Sequence, residues 1–205
     1  MPDGFSLLTW LQQHYIELIA VISGLLYVVF TIREKILLWL FGIVSSGLYV
    51  YIFFSSGIFA FACLYMYYVV IGFYGWYNWA RKPTGADGQT HHLPVRRSSS
   101  QYLRNSILVT IVLIIPLYYI LREFTSSDMA LADAILTAGG MVATWMLTQK
   151  LIEQWIFWIM LDMLSTGVMV YKGLYPSALL FLVYTMLAIK GFLTWKKDLN
   201  IQQAG

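Results

Sequence analysis

Charged residues are scarce in this 205-residue chain: Asp, Glu, Lys and Arg make up 11% of it, against ~25% in soluble domains. Cysteine is limited to Cys63, which excludes a disulfide scaffold. The histidines His14, His91 and His92 lack the spacing of metal ligands, so we expect no metal, no cofactor and no catalytic centre. Apolar residues reach 60%, too many for a water-soluble surface. Composition therefore predicts an all-α polytopic membrane protein.

Seven apolar stretches are long enough to cross a membrane, because a spanning helix needs ~20 mostly apolar residues. Residues 81–105 are polar and contain Pro83, Gly85 and Pro94, which predicts an exposed cytoplasmic loop. Residues 198–205 are predicted to form a cytoplasmic tail. The predicted spans occupy residues 15–32, 36–54, 58–80, 106–122, 128–148, 153–171 and 175–195.

Basic residues are divided unequally between the two sides of the predicted membrane, with ten on one side and two on the other. The positive-inside rule places the richer side in the cytoplasm, with the N-terminus outside and the C-terminus inside. Topology explains these charges, so no nucleic-acid partner is expected. The ten are Arg33, Lys35, Arg81, Lys82, Arg96, Arg97, Arg104, Lys150, Lys196 and Lys197; the two are Arg122 and Lys172.

The chain matches itself at an offset of 116 residues, without a gap. The repeat predicts two three-helix units, residues 1–80 and 128–197, separated by a connecting fourth helix at 106–127. One intervening span gives both units the same orientation, an architecture found in transporters. The matched pairs are Glu17/Asp133, Gly24/Gly140, Trp39/Trp155, Gly57/Gly173, Tyr68/Tyr184, Gly75/Gly191 and Trp79/Trp195.

Asp162 lies near the middle of the sixth predicted span, where an ionised side chain costs ~2.5–3.5 kcal/mol or more. Trp155, Trp158 and Asp162 are three and four residues apart, so they share one helix face. Two indoles and a carboxylate suit a flat cationic ring, which stacks on the indoles and pairs with the carboxylate. The alternative is a tryptophan belt with a carboxylate that pairs with a helix neighbour.

Four uncharged or aromatic residues are further candidates for ligand binding. Tyr65 and Tyr68 lie deep in the third span, where their hydroxyls can bind a ligand. Trp39 and Ser46 occupy, in the first unit, the positions of a tryptophan and the carboxylate in the second. One unit therefore has a neutral polar group where the other has a charge. Residues 74–79, rich in Tyr and Trp, are predicted mostly as an interfacial belt.

Three other ionisable residues have two interpretations each. Lys190 in the seventh span either extends to the cytoplasmic interface, marked by Trp195, or pairs with Asp162. Glu17 and Asp133 stand at the outer ends of the first and fifth spans. They either complement the helix dipole or form an acidic mouth that concentrates a cation.

The chain resembles the Pnu family of bacterial vitamin transporters, whose best-known branch carries nicotinamide riboside. The resemblance lies in residues 74–79 (YGWYNW), the pair Trp155 and Trp158, and residues 171–175 (YKGLY), and it extends over nearly the whole chain. It implies a seven-helix bundle in the bacterial inner membrane, in a 3+1+3 arrangement similar to that of full-length SWEET transporters. It also implies a homotrimer that lets an unphosphorylated vitamin cross by alternating access and facilitated diffusion, followed by intracellular phosphorylation that traps it.

The sequence departs from the nicotinamide riboside branch at polar positions. That branch has Asn in place of Asp162, Gln in place of Tyr65, Asn where Gly72 aligns, and another Asn at Ala188 or Lys190. With fewer amides, fewer side chains can form hydrogen bonds with a ribose and a carboxamide. A carboxylate beside two indoles, in contrast, suits cationic thiamin. We therefore predict thiamin uptake. Nicotinamide riboside uptake is the alternative, and a membrane sensor without transport is a more distant one.

Overall fold

Seven helices make up most of the computed structural model, which describes residues 7–81, 93–125 and 127–204. This confirms the predicted all-α class. The helices are α1 (Leu7–Ile32), α2 (Leu37–Ser55), α3 (Phe59–Ala80), α4 (Ser100–Phe124), α5 (Ala130–Thr148), α6 (Gln154–Tyr171) and α7 (Tyr175–Ala204). Five of them, α2, α3, α4, α5 and α7, are long and apolar enough to span a membrane. α6 is shorter and carries Gln154 and Asp162, and much of the first half of α1 has no described side chains.

Three helices extend beyond the apolar stretches that predicted them. α1 begins at Leu7, and α7 continues to Ala204, so the predicted cytoplasmic tail is helical. Residues 100–105 are also helical, whereas the sequence placed them in the polar loop. Ser99 explains this start of α4, because its hydroxyl accepts a hydrogen bond of 3.1 Å from the Tyr102 backbone N–H and caps the helix. Apolar runs report only the hydrocarbon-spanning part of a helix.

The described end of the predicted exposed loop packs against the turn between α5 and α6. Val95 is 2% exposed. The Arg96 backbone N–H donates to the Lys150 carbonyl and the Arg96 carbonyl accepts from the Ile152 N–H, both at 3.1 Å. The Arg96 guanidinium also donates to the Gln149 carbonyl and side chain. The predicted exposure is therefore wrong for Val95, which the backbone pairing of Arg96 holds against this turn, whereas Pro94, Arg96, Arg97 and Ser99 are exposed as predicted.

Six helices form a closed ring, and the fourth lies outside it. Each helix of the ring contacts the next one in the order α1, α2, α3, α5, α6, α7, and α7 contacts α1. α4 packs on the outer side of α5. The contacts of α3 with α5 and of α1 with α7 join the two repeat units.

Four tryptophans build the core of this ring, two from each unit. Trp39 and Trp79 meet edge to face with ring centroids 5.6 Å apart, and Trp155 and Trp195 meet at the same distance. None of the four is more than 4% exposed. The interfacial location expected for Trp79 and Trp195 is therefore wrong. An aromatic residue near a helix end has the same sequence signature whether it faces lipid or the core.

The second tryptophan of each unit binds the backbone of the other unit. The Trp79 indole N–H donates to the Leu147 carbonyl at 3.2 Å, and the Trp195 indole N–H donates to the Thr31 carbonyl at 3.2 Å. Thr31 and Leu147 are themselves separated by the repeat offset. The units are thus joined by two equivalent, reciprocal hydrogen bonds.

A buried ion pair joins the turns that follow α1 and α5. Lys150 Nζ lies 2.9 Å from Glu34 Oε2, and these residues are 116 positions apart. Lys150 Nζ also lies 4.4 Å from the centre of the Trp79 ring. Both Glu34 and Lys150 have a left-handed backbone, with φ of 51°. This conformation favours glycine, so two strained turns are held together through the charges that they carry.

Gly57 and Gly173 end α2 and α6 in the same way, with φ of 72° and 71°. The Ile58 N–H donates to the Phe53 carbonyl, and the Leu174 N–H donates to the Met169 carbonyl, both at 2.8 Å. These are the bonds of a helix end closed by a left-handed glycine. Corresponding helix ends in the two units therefore have one geometry.

Candidate functional site

Two cavities lie within the ring of six helices, with volumes of about 290 Å³ and 210 Å³. We call the larger one the neutral chamber, because its polar lining consists of hydroxyls and indoles. We call the smaller one the acidic chamber, because a carboxylate lines it. The neutral chamber is lined by Trp39, Ser46, Tyr65, Tyr68, Gly72 and Thr144, among others. The acidic chamber is lined by Gln154, Trp155, Asp162, Phe181, Tyr184 and Ala188, among others.

The two chambers occupy corresponding positions in the two repeat units. Seven residues of the neutral chamber have repeat mates in the acidic chamber. Tyr27 and Trp158 line both cavities, so these two side chains lie where the chambers adjoin. The corresponding pairs are Trp39/Trp155, Gly42/Trp158, Ser46/Asp162, Tyr65/Phe181, Tyr68/Tyr184, Gly72/Ala188 and Thr144/Val28.

Seven of the ten predicted binding residues line these chambers. The ring arrangement of the helices brings them together there. Trp155, Trp158 and Asp162 share one face of α6 and all line the acidic chamber, as their spacing predicted. The other four are on the neutral side: Trp39, Ser46, Tyr65 and Tyr68. The sequence suggested one site, whereas the structure has a chamber in each unit.

Lys190 and Asp133 do not line the chambers. Lys190 is exposed on α7 and lines neither cavity, so it is not paired with Asp162. Asp133 accepts a hydrogen bond from the Ser127 hydroxyl in the first turn of α5, which fits the helix-dipole interpretation. The side chain of Glu17 lies outside the described residues, so its part in an acidic mouth stays a prediction.

Asp162 is 9% exposed, and the described residues supply no salt-bridge partner for it. An ion pair does occur near Asp133, where Lys172 Nζ lies 2.6 Å from Asp128 Oδ1. That hydrogen bond from the Lys172 ammonium lowers the pKa of Asp128. Asp162 has no comparable neighbour. A cation entering the acidic chamber would meet a buried carboxylate without a counter-charge.

Gln154 is a lining residue that the sequence reasoning missed. It begins α6, is completely buried, and lines the acidic chamber. Neither polar atom of its amide has a hydrogen-bond partner among the described residues, and the same holds for the indole N–H groups of Trp39 and Trp155. The signal was its repeat mate, Leu38: a buried leucine in one unit is replaced by a buried amide in the other.

The family model for nicotinamide mononucleotide transporters matches residues 14–197. The chain belongs to this family of membrane transporters. The nicotinamide riboside transporter PnuC of Escherichia coli (strain K12) is 23% identical over 202 residues, which cover 88% of this chain and 84% of the relative. The PnuC of Neisseria mucosa is 23% identical over 188 residues, covering 87% and 71%.

A solved structure shares the fold. The crystal structure of the vitamin B3 transporter PnuC matches with a TM-score of 0.70 at 20% sequence identity, covering 94% of this chain and 85% of that chain. The family resemblance is thus confirmed, and it indicates a transporter rather than an enzyme. The relatives are named for nicotinamide riboside, so they do not support the preference for thiamin.

Proposed function

We propose that this protein carries nicotinamide riboside across the bacterial inner membrane by facilitated diffusion. The observation that carries the proposal is Asp162, a buried carboxylate between helices, in a chamber shared with Trp155 and Trp158. Burying a carboxylate without a partner is costly, and a cationic ligand would supply the missing counter-charge. Trp158 is half-buried, so it retains surface on which a pyridinium ring can stack.

The chamber chemistry favours the unphosphorylated riboside over the mononucleotide. Proteins bind phosphate groups with Arg, Lys or backbone N–H groups. The residues that line the two chambers include no Arg and no Lys, and the acidic chamber contains Asp162. A phosphate would therefore add like charge to a buried carboxylate. Phosphorylation inside the cell would then trap the transported riboside, as we expect from the family resemblance.

The packing of the two units supports alternating access in a 3+1+3 arrangement. Glu34 meets its own repeat mate Lys150, and the Trp79 and Trp195 bonds are reciprocal. Mates that meet at one end of the ring are expected when both units have the same orientation. Two similar units whose chambers adjoin can then rock against each other. The cytoplasmic C-terminus and the homotrimer stay predictions.

Thiamin is a second candidate, and it is favoured because few amide side chains line the chambers. Gln154 is the one amide among the residues that line the two chambers. A ribose presents several hydroxyls, which are usually read by several donors and acceptors. Thiamin has a permanent cationic ring, an aminopyrimidine and a single hydroxyl, so one carboxylate and one amide serve it.

A binding screen with the purified protein tests this proposal. Nicotinamide riboside, thiamin and nicotinamide mononucleotide are compared by thermal shift and calorimetry, because a ligand that binds the folded state raises its stability. We expect nicotinamide riboside to bind and the mononucleotide to bind far more weakly; binding of thiamin in place of the riboside would favour the second candidate. Asp162→Leu should weaken binding, whereas Lys190→Leu, a matched loss of charge away from the chambers, should not. Equal binding by Asp162→Leu and the parent would refute the counter-charge argument.

A further inference from the structure

Gln154 is the most unusual polar group in the described interior. Its side chain is fully buried, and both its amide nitrogen and its amide oxygen lack a hydrogen-bond partner among the described residues. An unsatisfied buried amide is expensive, and most such groups in folded proteins have partners. Its repeat mate Leu38 is equally buried, so this position in the fold accepts an apolar residue. The amide is therefore not needed for packing.

The position of Gln154 relates it directly to the proposed site. Gln154, Trp158 and Asp162 are four residues apart in sequence, so they form one row along α6. A rise of ~1.5 Å per residue separates the first from the last by about 12 Å, with the indole between them. All three line the acidic chamber. A ring stacked on Trp158 would have the carboxylate beyond one edge and the amide beyond the other.

The acidic chamber has more polar side chains than the first unit at two corresponding positions. Ser46 corresponds to Asp162, and Leu38 corresponds to Gln154. Trp155, by contrast, has a tryptophan as its repeat mate, Trp39, whereas the mate of Trp158 is Gly42. The two differences lie on one helix face and in one cavity. They fit a ligand that carries a positive charge at one end of a ring and a hydrogen-bonding group at the other.

We infer that Gln154 determines substrate specificity: its amide binds a planar donor–acceptor edge on the ring of the transported vitamin. This inference rests on the proposed function. A carboxamide presents a donor and an acceptor side by side, and so does an aminopyrimidine. A side-chain amide pairs with either edge through two hydrogen bonds. Those bonds would satisfy the two amide atoms that have no partner among the described residues.

The test uses Gln154→Met, which keeps the length of the side chain and removes its polar atoms. We expect nicotinamide riboside, or thiamin if it is the ligand, to bind about thirtyfold more weakly, the effect of two hydrogen bonds of ordinary net strength. The Tm of the unliganded variant should stay level or rise, because an unsatisfied amide has been removed. Gln101→Met, the same change at an exposed position in α4, should alter neither binding nor Tm.

Unchanged binding by Gln154→Met would overturn the inference, and so would a lower Tm without ligand, which indicates a structural amide. If the variant does not fold, the wild-type protein is tested with the riboside of pyridine, which lacks the carboxamide, or with 4-deaminothiamin, which has hydrogen in place of the amino group and so lacks the donor. Binding of these analogues as tight as that of the vitamin would also overturn it. Failure of the wild-type protein to take up either vitamin would instead refute the proposed function.

Discussion

The ion pair between Glu34 and Lys150 should stabilise the fold by holding the two units together. The side chain of Lys150 is 9% exposed and that of Glu34 is 21% exposed, so solvent screens the pair only in part. Removing one partner of a fully buried pair costs ~3–5 kcal/mol, and the partial exposure of Glu34 reduces this. We expect Glu34→Gln to lower the free energy of unfolding by about 2–3 kcal/mol.

A double-mutant cycle measures the interaction itself. Lys150→Met removes the charge, together with a contact to the Trp79 ring that contributes about 0.5–2 kcal/mol. The double variant should be less destabilised than the sum of the single variants, by about 1–2 kcal/mol, because neither charge is then left alone. Unfolding is followed in detergent with a chemical denaturant. Additive effects would show that the two charges do not stabilise each other and would refute the reasoning.

A second ion pair provides the control for this cycle. Asp128 and Lys172 lie 2.6 Å apart, but the Asp128 side chain is 71% exposed. Both of these residues belong to the second unit, so their contact does not join the units. Exposed pairs contribute little because water and salt screen them. Asp128→Asn and Lys172→Met should therefore leave stability almost unchanged.

Two glycine pairs give further predictions. Gly57→Ala and Gly173→Ala should each lower the free energy of unfolding by about 1 kcal/mol, and by equal amounts, because both glycines have positive φ and open surroundings. Denaturant unfolding of both variants checks this. Clearly unequal losses of stability would contradict the repeat geometry. Gly75→Ala and Gly191→Ala should cost about 1–3 kcal/mol or more, because the new methyl lies closer than 3.0 Å to a buried indole. Gly47→Ala, with nothing within 4 Å, is their control, and an equal loss of stability there would refute the packing argument.

Much of the fold follows from the sequence because hydrocarbon imposes simple rules. Spans must be apolar and about 20 residues long, so all seven helices were predicted. The polar ends of α1, α4 and α7 were missed, because these ends need no apolar run. The burial of Val95 and of Trp79 was also missed. It depends on contacts with distant parts of the chain, which a local pattern does not report.

The part of the site that was predictable from the sequence is the part where a charge is buried at a cost in free energy. Asp162 stands out because a charge is rare in a span, and helical spacing then links it to Trp155 and Trp158. Gln154 did not stand out, since an uncharged amide at a helix start is ordinary. The sequence repeat does not indicate Tyr27 as a lining residue, because its repeat mate is Ala143. Only the packed ring shows that Tyr27 lies where the two chambers adjoin.

The central claim is that two similar units enclose a passage for an aromatic, cationic vitamin. Exchange across purified proteoliposomes tests this most directly. Vesicles loaded with unlabelled nicotinamide riboside, and others loaded with thiamin, are placed in the same labelled compound without ATP or an ion gradient. We expect saturable equilibration of label for nicotinamide riboside, or for thiamin if the second candidate is the substrate, at a rate reduced by Asp162→Leu. Binding of the vitamin without any exchange across the vesicle membrane would contradict it and would indicate a sensor.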